Sequence, residues 1–200
     1  MIDCIKIYYA QIPDKPLNIT INKARRDYVD SFKDAFAKKQ RYWASVLLDK
    51  ALADCYIDAK TCNLELTESG KWICDGAKFS ISHSKNLIAV SVSSINHGVD
   101  VEYFDPNRFN FKLAQRIMTD TEKLLPPNDF TPEKVIELWT KKESIFKLGV
   151  DKKAISDILV EAYLTKTYAI NLAGDKYVLS CATDNKSATF CKPKLIDLSK

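Results

Sequence analysis

Gly98-Val99-Asp100-Val101-Glu102 alternates apolar and acidic residues, which is the pattern of a β-strand whose two faces differ. Side chains two residues apart on a strand point to the same side, so Asp100 and Glu102 share one face while the two valines share the other. Neighbouring carboxylates repel each other, and a divalent cation with oxygen ligands relieves that repulsion. The pair therefore predicts a metal site, and a solvated strand face with two ordinary acids is the alternative.

Upstream of this strand, the sequence predicts an opening strand, a long helical region and a group of short strands. Apolar residues recur at spacings of three and four between Asn22 and Tyr56, which is typical of helices that bury one side. Short apolar runs separated by turn residues predict the strands, at residues 2–9, 64–67, 77–81 and 87–92.

Downstream, two helices and further strands are predicted. Phe111–Leu125 and Pro132–Leu148 have helical periodicity, and Thr131 is a natural N-cap before a proline at the first helical position. The remaining strands are predicted at residues 158–164, 168–172 and 177–181.

The elements follow a similar order on both sides of residue 97, with no low-complexity linker between the two halves. This order predicts an α+β protein with two similar lobes in a pseudo-twofold arrangement, residues 1–97 and 98–200, and argues against alternating βαβ units. A chain of 200 residues is long enough for two small lobes that share an interface.

The composition is that of an ordinary globular protein, with 46% hydrophobic and 28% charged residues. A net charge of +4 is too small to indicate a nucleic-acid binder, although it suits an acidic partner. The chain shows neither a signal peptide at its start nor an apolar run of membrane-spanning length, so we expect a cytoplasmic protein. The six cysteines contain no C-x-x-C pair, and we expect free thiols without a metal or redox role.

A second group of chemically interesting residues falls on the helix predicted after Thr131. Lys142 lies in the middle of its apolar face, where a lysine is costly unless an acid or a phosphate matches its charge. Glu143 and Lys147 are one turn apart along the edge of that face. An exposed Glu–Lys pair, with Lys142 extending past the core to solvent, is the alternative. The apolar face consists of Val135, Leu138, Trp139 and Phe146.

A third group combines Gly70-Lys71 with the segment Phe79-Ser80-Ile81-Ser82-His83-Ser84. A strand that ends in small hydroxyls and a histidine offers several hydrogen-bond donors to a phosphate. His83 is equally consistent with a hydrogen-bonded histidine in a loop.

Taken in order, these three segments resemble the 4′-phosphopantetheinyl transferase superfamily over about residues 38–149. The resemblance is greatest to the two-lobed type that activates surfactin synthetase (Sfp-type). It implies the 4′-phosphopantetheinyl transferase fold and an Mg²⁺-dependent enzyme that uses coenzyme A as substrate. The reaction implied is transfer of 4′-phosphopantetheine to a serine of an apo acyl or peptidyl carrier protein, with release of 3′,5′-adenosine bisphosphate.

The resemblance also implies a role for each matching residue. Asp100, Glu102 and Glu143 would hold Mg²⁺, and we expect Glu143 to take the proton of the carrier serine. Lys147 and Lys142 would contact the transferred phosphate. Coenzyme A would be held at its adenosine and 3′-phosphate end by Arg41, Lys71, Ser82 and His83.

Two positions need separate mention. Glu122 resembles a further acidic position that lies near the metal in some relatives. Lys85 stands where the family often has glycine, so we expect it either to add a phosphate contact or to alter the turn.

The partner implied is an acidic carrier protein, with no nucleic acid or membrane, and we expect a monomer. The sequence suggests a carrier surface within residues 104–125, where basic and aromatic residues mix; a packed helix with solvated basic residues is the alternative. The candidates are Arg108, Phe109, Phe111, Lys112 and Arg116. Two other functions fit the motifs less well: a metal-dependent nuclease, and an inactive relative that only binds coenzyme A or a carrier.

Overall fold

The computed structural model describes residues 4–16, 18–68, 70–124, 126, 130–149 and 154–199. Ile2, Asp3 and Leu125, which belong to predicted elements, lie outside these ranges. Within them, no helix is long and apolar enough to cross a membrane. The helices are α1 (Lys23–Asp30), α2 (Ala35–Ala53), α3 (Phe111–Ile117) and α4 (Pro132–Phe146).

The described strands form two larger sheets and one small ribbon. One sheet has the order β4-β5-β1-β9, another has the order β6-β8-β7, and β2 pairs with β3. The chain is therefore a mixed α+β protein, as predicted, whereas the pseudo-twofold relation of two lobes stays a prediction. The strands are β1 (Lys6–Gln11), β2 (Leu64–Leu66), β3 (Trp72–Cys74), β4 (Lys78–Ser84), β5 (Leu87–Ser93), β6 (Gly98–Tyr103), β7 (Leu164–Leu172), β8 (Asp175–Thr183) and β9 (Lys194–Leu195).

Side-chain caps set where the helices begin. Asn22 accepts a hydrogen bond from the Ala24 amide and Asp34 accepts one from the Ala37 amide, so the helical region predicted between residues 22 and 56 is two helices. Thr131 caps α4 as predicted, with Pro132 at the first helical position.

In the second half, one predicted helix is shorter than predicted and one predicted strand is mostly wrong. The helix predicted from Phe111 ends at Ile117, because the Glu122 carboxylate and the Thr119 hydroxyl each accept a hydrogen bond from the other residue's amide. This reciprocal cap begins a separate short 3₁₀ helix. The strand predicted at residues 158–164 is largely replaced by a 3₁₀ turn at Val160–Ala162, and β7 begins only at Leu164.

The expectation that all six cysteines are free thiols is wrong for one pair. Cys4 and Cys191 form a disulfide, with their Cα atoms 6.2 Å apart. Backbone hydrogen bonds hold the two segments side by side, since Ile5 bonds to the Thr189 carbonyl and Cys191 bonds to the Ile5 carbonyl. The other cysteines, all described, are free: Cys55, Cys62, Cys74 and Cys181.

Three serines join the two larger sheets. Strands β4 and β6 lie next to each other but belong to different sheets. From Ser80 onward, every second residue of β4 is a serine. The hydroxyl oxygen of each serine accepts a hydrogen bond from a β6 amide, at distances of 3.0–3.2 Å. The pairs are Ser80 with Val99, Ser82 with Val101, and Ser84 with Tyr103.

Gly98 brings β6 close to α4. A Cβ atom at this position would overlap the Ser144 carbonyl oxygen and press on the Lys147 Cβ. The glycine therefore allows the acidic strand to pack directly against the helix that carries Glu143 and Lys147.

We expect Gly98→Ala to lower the free energy of unfolding by about 3 kcal/mol, because the added methyl meets helix backbone that cannot move aside. Urea denaturation followed by circular dichroism measures the change. Gly174→Ala is the comparison, since Gly174 has a positive φ of 83° and open space around it. It should cost only about 1 kcal/mol of backbone strain. Equal losses in the two variants would show that the packing of β6 on α4 is not the constraint.

Candidate active site

A pocket of about 670 Å³ opens between α2, β4 and the C-terminal end of α4. It brings together five of the predicted site residues, which come from both halves of the chain. These are Arg41, Lys71, His83, Glu143 and Lys147. The pocket walls also include aromatic side chains, among them Trp72, Phe79 and Phe146. A wall that carries both cations and aromatic rings suits a ligand that has phosphate groups and an aromatic base.

Asp100 lies buried beside this pocket, with one carboxylate oxygen satisfied and the other not. Its Oδ1 accepts hydrogen bonds from Lys147 Nζ and from the Ser82 hydroxyl, both at 2.8 Å. Its Oδ2 is buried and has no hydrogen-bond partner among the described residues. Burial raises the pKa of Asp100, and the Lys147 ammonium opposes that rise. A bound cation would satisfy the unpartnered oxygen.

The carboxyl group of Glu143, on α4, is influenced by the same group of charges. Burial raises the pKa of its carboxyl, and the negative charges of Asp100 and Glu102 raise it further, while Lys147 and Arg108 oppose the rise. No hydrogen bond to its carboxylate is found in the part of the chain that the structure describes. Glu143 therefore faces the pocket with a carboxylate that is able to ligate a cation or accept a proton.

Glu102 has the opposite character, because each of its oxygens already has two donors. Arg108 donates to both oxygens at 3.0 Å, Trp139 Nε1 donates to Oε1 at 3.0 Å, and the Ser84 hydroxyl donates to Oε2 at 2.8 Å. A carboxylate accepts about four such bonds, so Glu102 must exchange a donor before it ligates a metal. Among the described residues, no three metal-binding side chains form a cluster ready to hold one ion. Asp100 and Glu143 thus fit a cation as they stand, and Glu102 fits after an exchange.

The structure does not bring Lys142 to the pocket. Its side chain is completely buried, and its ammonium group bonds to the Glu122 carboxylate at 2.7 Å and to the Ile117 carbonyl at 2.8 Å. Lys142 was predicted to contact the transferred phosphate, and in this arrangement it has no access to the pocket. Glu122 was predicted to lie near the metal, and it is instead the ion-pair partner of Lys142. The cost of a lysine in the apolar face is offset by an acid 20 residues earlier in the chain.

Ser82 also differs from its predicted role. Its hydroxyl is buried between β4 and β6, where it donates to Asp100 and accepts from the Val101 amide, so it does not line the pocket. His83, the next residue on β4, points to the other face and does line it. Burial, together with the nearby cations Arg41 and Lys147, lowers the pKa of His83 from 6.5 to about 4.

The sequence comparisons agree with this geometry. Residues 96–170 match the family model of the 4′-phosphopantetheinyl transferase superfamily. The match covers β6, α3, α4 and most of β7, and it includes the acidic strand and the Glu143–Lys147 turn. It supports a phosphopantetheinyl transferase domain over these residues. A comparison with curated proteins gives no match.

The sequence motifs did not indicate one residue that lines the pocket. Arg25 is almost fully buried and lies over the rings of Trp72 and Tyr28, at 4.6 and 5.4 Å from their centroids. Desolvation lowers the pKa of this guanidinium to about 10. Its presence among the basic residues near α2 was visible in the sequence, but no spacing rule distinguishes it from its exposed neighbours.

Lys85 lies in the turn after β4 and does not line the pocket. It adopts a positive φ of 51°, and its ammonium group bonds to Asp175 at 2.9 Å and lies 4.0 Å from the centre of the Tyr103 ring. Lys85 therefore connects the β4–β5 turn to the β7–β8 turn, across the two larger sheets.

The two histidines give a direct test of the pocket. We expect NMR titration to show a pKa of about 4 for His83, rising when inorganic pyrophosphate binds, because an anion stabilises the protonated ring. Binding should therefore tighten as the pH falls towards 4. His97 has a pKa lowered by burial and does not line this pocket, so it is the internal control and His97→Gln assigns the signals. A free His83 that titrates near 6.5, or an unchanged His83 with pyrophosphate bound, would contradict this geometry.

A second test separates a structural Lys142 from one that contacts substrate. We expect Lys142→Met to cost about 3 kcal/mol of unfolding free energy, because it leaves the Glu122 carboxylate largely buried without its cation. Adding Glu122→Gln should restore a large part of the loss. Lys141→Met, which breaks a more exposed pair with Glu137, is the matched control and should cost less than about 1 kcal/mol. If Lys142→Met kept its full stability but lost turnover, Lys142 would instead be a residue that contacts substrate.

Proposed function

We propose that this protein is a 4′-phosphopantetheinyl transferase of the two-lobed type, which transfers phosphopantetheine from coenzyme A to a serine of an apo acyl or peptidyl carrier protein. The observation that carries the proposal is the pocket itself. It places cations from the N-terminal half beside Glu143 and Lys147, within the segment that matches the transferase family. Such a pocket suits a substrate with a phosphorylated nucleoside at one end and a reacting pyrophosphate at the other.

The adenosine and 3′-phosphate end of coenzyme A is assigned to the cationic wall. Arg41, Lys71 and His83 line it, and Arg25 extends it towards Trp72. Guanidinium groups bind phosphate oxygens through two parallel hydrogen bonds, and the aromatic side chains offer a face to the adenine. Lys71 is already held in place by the Asn96 side chain and the Leu148 carbonyl.

The reacting pyrophosphate is assigned to the junction of β6 and α4. Asp100 and Glu143, joined by Glu102, would hold Mg²⁺, which neutralises pyrophosphate charge and stabilises the leaving group when bound. Lys147 is held by Asp100 and the Val99 carbonyl, and we assign its charge to the transferred phosphate.

The reaction needs a base for the carrier serine. Its hydroxyl oxygen forms a bond to the β-phosphorus of coenzyme A, the bond from that phosphorus to the bridging oxygen breaks, and 3′,5′-adenosine bisphosphate leaves. The raised pKa of Glu143 makes it a stronger base than an ordinary glutamate, and we assign it the serine proton. The remaining work is positioning and charge neutralisation.

The carrier surface is assigned to the outer face of α3. Phe111, Lys112 and Arg116 are exposed there and combine basic and aromatic character. Two candidates from the sequence drop out, because Phe109 is completely buried and Arg108 is engaged with Glu102. An acidic carrier helix would match the remaining charges.

Intact-protein mass spectrometry of apo carriers, incubated with this chain, coenzyme A and Mg²⁺, tests the proposal. We expect a mass gain of one phosphopantetheine, lost with EDTA and in Asp100→Asn, and a fall in turnover of at least about a hundredfold in Glu143→Gln. Asn171→Ala, an exposed change on β7 away from the pocket and the assigned carrier surface, is a folding control. Coenzyme A binding without transfer to any acyl or peptidyl carrier would leave a binding-only protein, and near-normal turnover of Glu143→Gln would remove its role as base.

A further inference from the structure

Glu102 has its own positively charged partner within the chain. The Arg108 guanidinium bonds to both of its carboxylate oxygens at 3.0 Å, in the paired geometry that is strongest for this type of contact. Asp100 has a similar internal partner in Lys147, at 2.8 Å. The acidic strand is thus neutralised by two side chains, and a divalent cation has to compete with them.

The two internal cations are held very differently. Lys147 follows the last turn of α4, also bonds to the Val99 carbonyl and is about three-quarters buried. Arg108 lies in the segment between β6 and α3, and half of its side chain is exposed. Its guanidinium carbon also lies 5.0 Å from the centre of the Phe109 ring. Arg108 is therefore the more easily displaced of the two cations, because its guanidinium is half exposed and can be hydrated when it leaves Glu102.

Glu102 keeps its orientation when Arg108 leaves. Trp139 still donates to one oxygen and the Ser84 hydroxyl still donates to the other, and both donors come from well-defined elements. The departure of the guanidinium frees one acceptor site on each oxygen, which is what a metal ligand requires.

We propose that Arg108 is a displaceable counter-ion that sets the divalent-cation affinity of the site. It neutralises Glu102 until a cation takes its place, and the exchange completes the ligand set with Asp100 and Glu143. This inference rests on the proposed function, because it requires a metal at these carboxylates. The contrary role, in which Arg108 orients Glu102 for the metal, predicts the opposite effect of removing it.

Mn²⁺ titration of the full chain, with free Mn²⁺ measured by electron paramagnetic resonance at constant ionic strength, distinguishes the two roles. We expect Arg108→Gln to bind Mn²⁺ about fivefold more tightly than the unsubstituted protein, because the competing charge is gone. Arg116→Gln removes the same charge from an exposed site on α3 and should change the affinity less than twofold. In a Glu102→Gln background, Arg108→Gln should have no further effect, since the pair it breaks is already lost.

Unchanged or weaker Mn²⁺ binding in Arg108→Gln would overturn the inference, and so would an equal gain in Arg116→Gln. Asp100→Asn reports separately on the site. If Mn²⁺ binding does not depend on Asp100 in any variant, with or without coenzyme A, the metal site of the proposed function fails and the inference fails with it. If binding depends on Asp100 but not on Arg108, the proposed function stands and this inference alone is wrong. Thermal unfolding of each variant confirms that it is folded.

Discussion

The hydrogen bonds between the β4 serines and the β6 amides are the contact on which the rest of the site depends. Each serine oxygen accepts from an amide of β6, and the hydroxyls of Ser82 and Ser84 in turn donate to Asp100 and Glu102. One hydroxyl thus joins two sheets and fixes a carboxylate at the same time. A buried amide left without its acceptor costs about 1–3 kcal/mol, so β6 has little freedom to shift along β4. The carboxylates are placed by strand register and not by loop conformation.

The charges around β6 follow from this placement. Buried acids are tolerated because each lies beside a cation, and the two pairs differ in how firmly the cation is held. Lys142 shows the same principle on the far side of α4, where Glu122 and a carbonyl take up its charge. Lys142 within α4 and Lys147 at its C-cap are five residues apart and therefore differ in their surroundings. Lys147 faces the pocket, and Lys142 anchors the helix to the segment after α3.

The sequence was sufficient for the parts of the structure that depend on local periodicity. Strand β6 and helix α4 were predicted because alternation and capping are properties of neighbouring residues. The partner of Lys142 was not predictable, since it depends on a turn 20 residues away, and neither was the Cys4–Cys191 disulfide, whose cysteines are 187 residues apart. The roles of Ser82 and His83 illustrate the same limit. They are neighbours on one strand, but only the structure shows which face meets Asp100 and which meets the pocket.

The distribution of charged side chains around the pocket limits the kinds of ligand that it can bind. The N-terminal half contributes cations and a neutral histidine, whereas the C-terminal half contributes Glu143 and Lys147, with Asp100 bonded to Lys147 beside the pocket. A ligand with negative charge at one end alone would satisfy the first group and be repelled by the second. A ligand with a second phosphate group, accompanied by a divalent cation, satisfies both. On the proposed function, the reacting phosphorus of such a ligand would lie where the two groups meet, next to Lys147, because Glu143, the proposed base, lines the same pocket. Cation binding and substrate position would then be linked, because the strand that fixes the acids would also fix the position of the reacting phosphate.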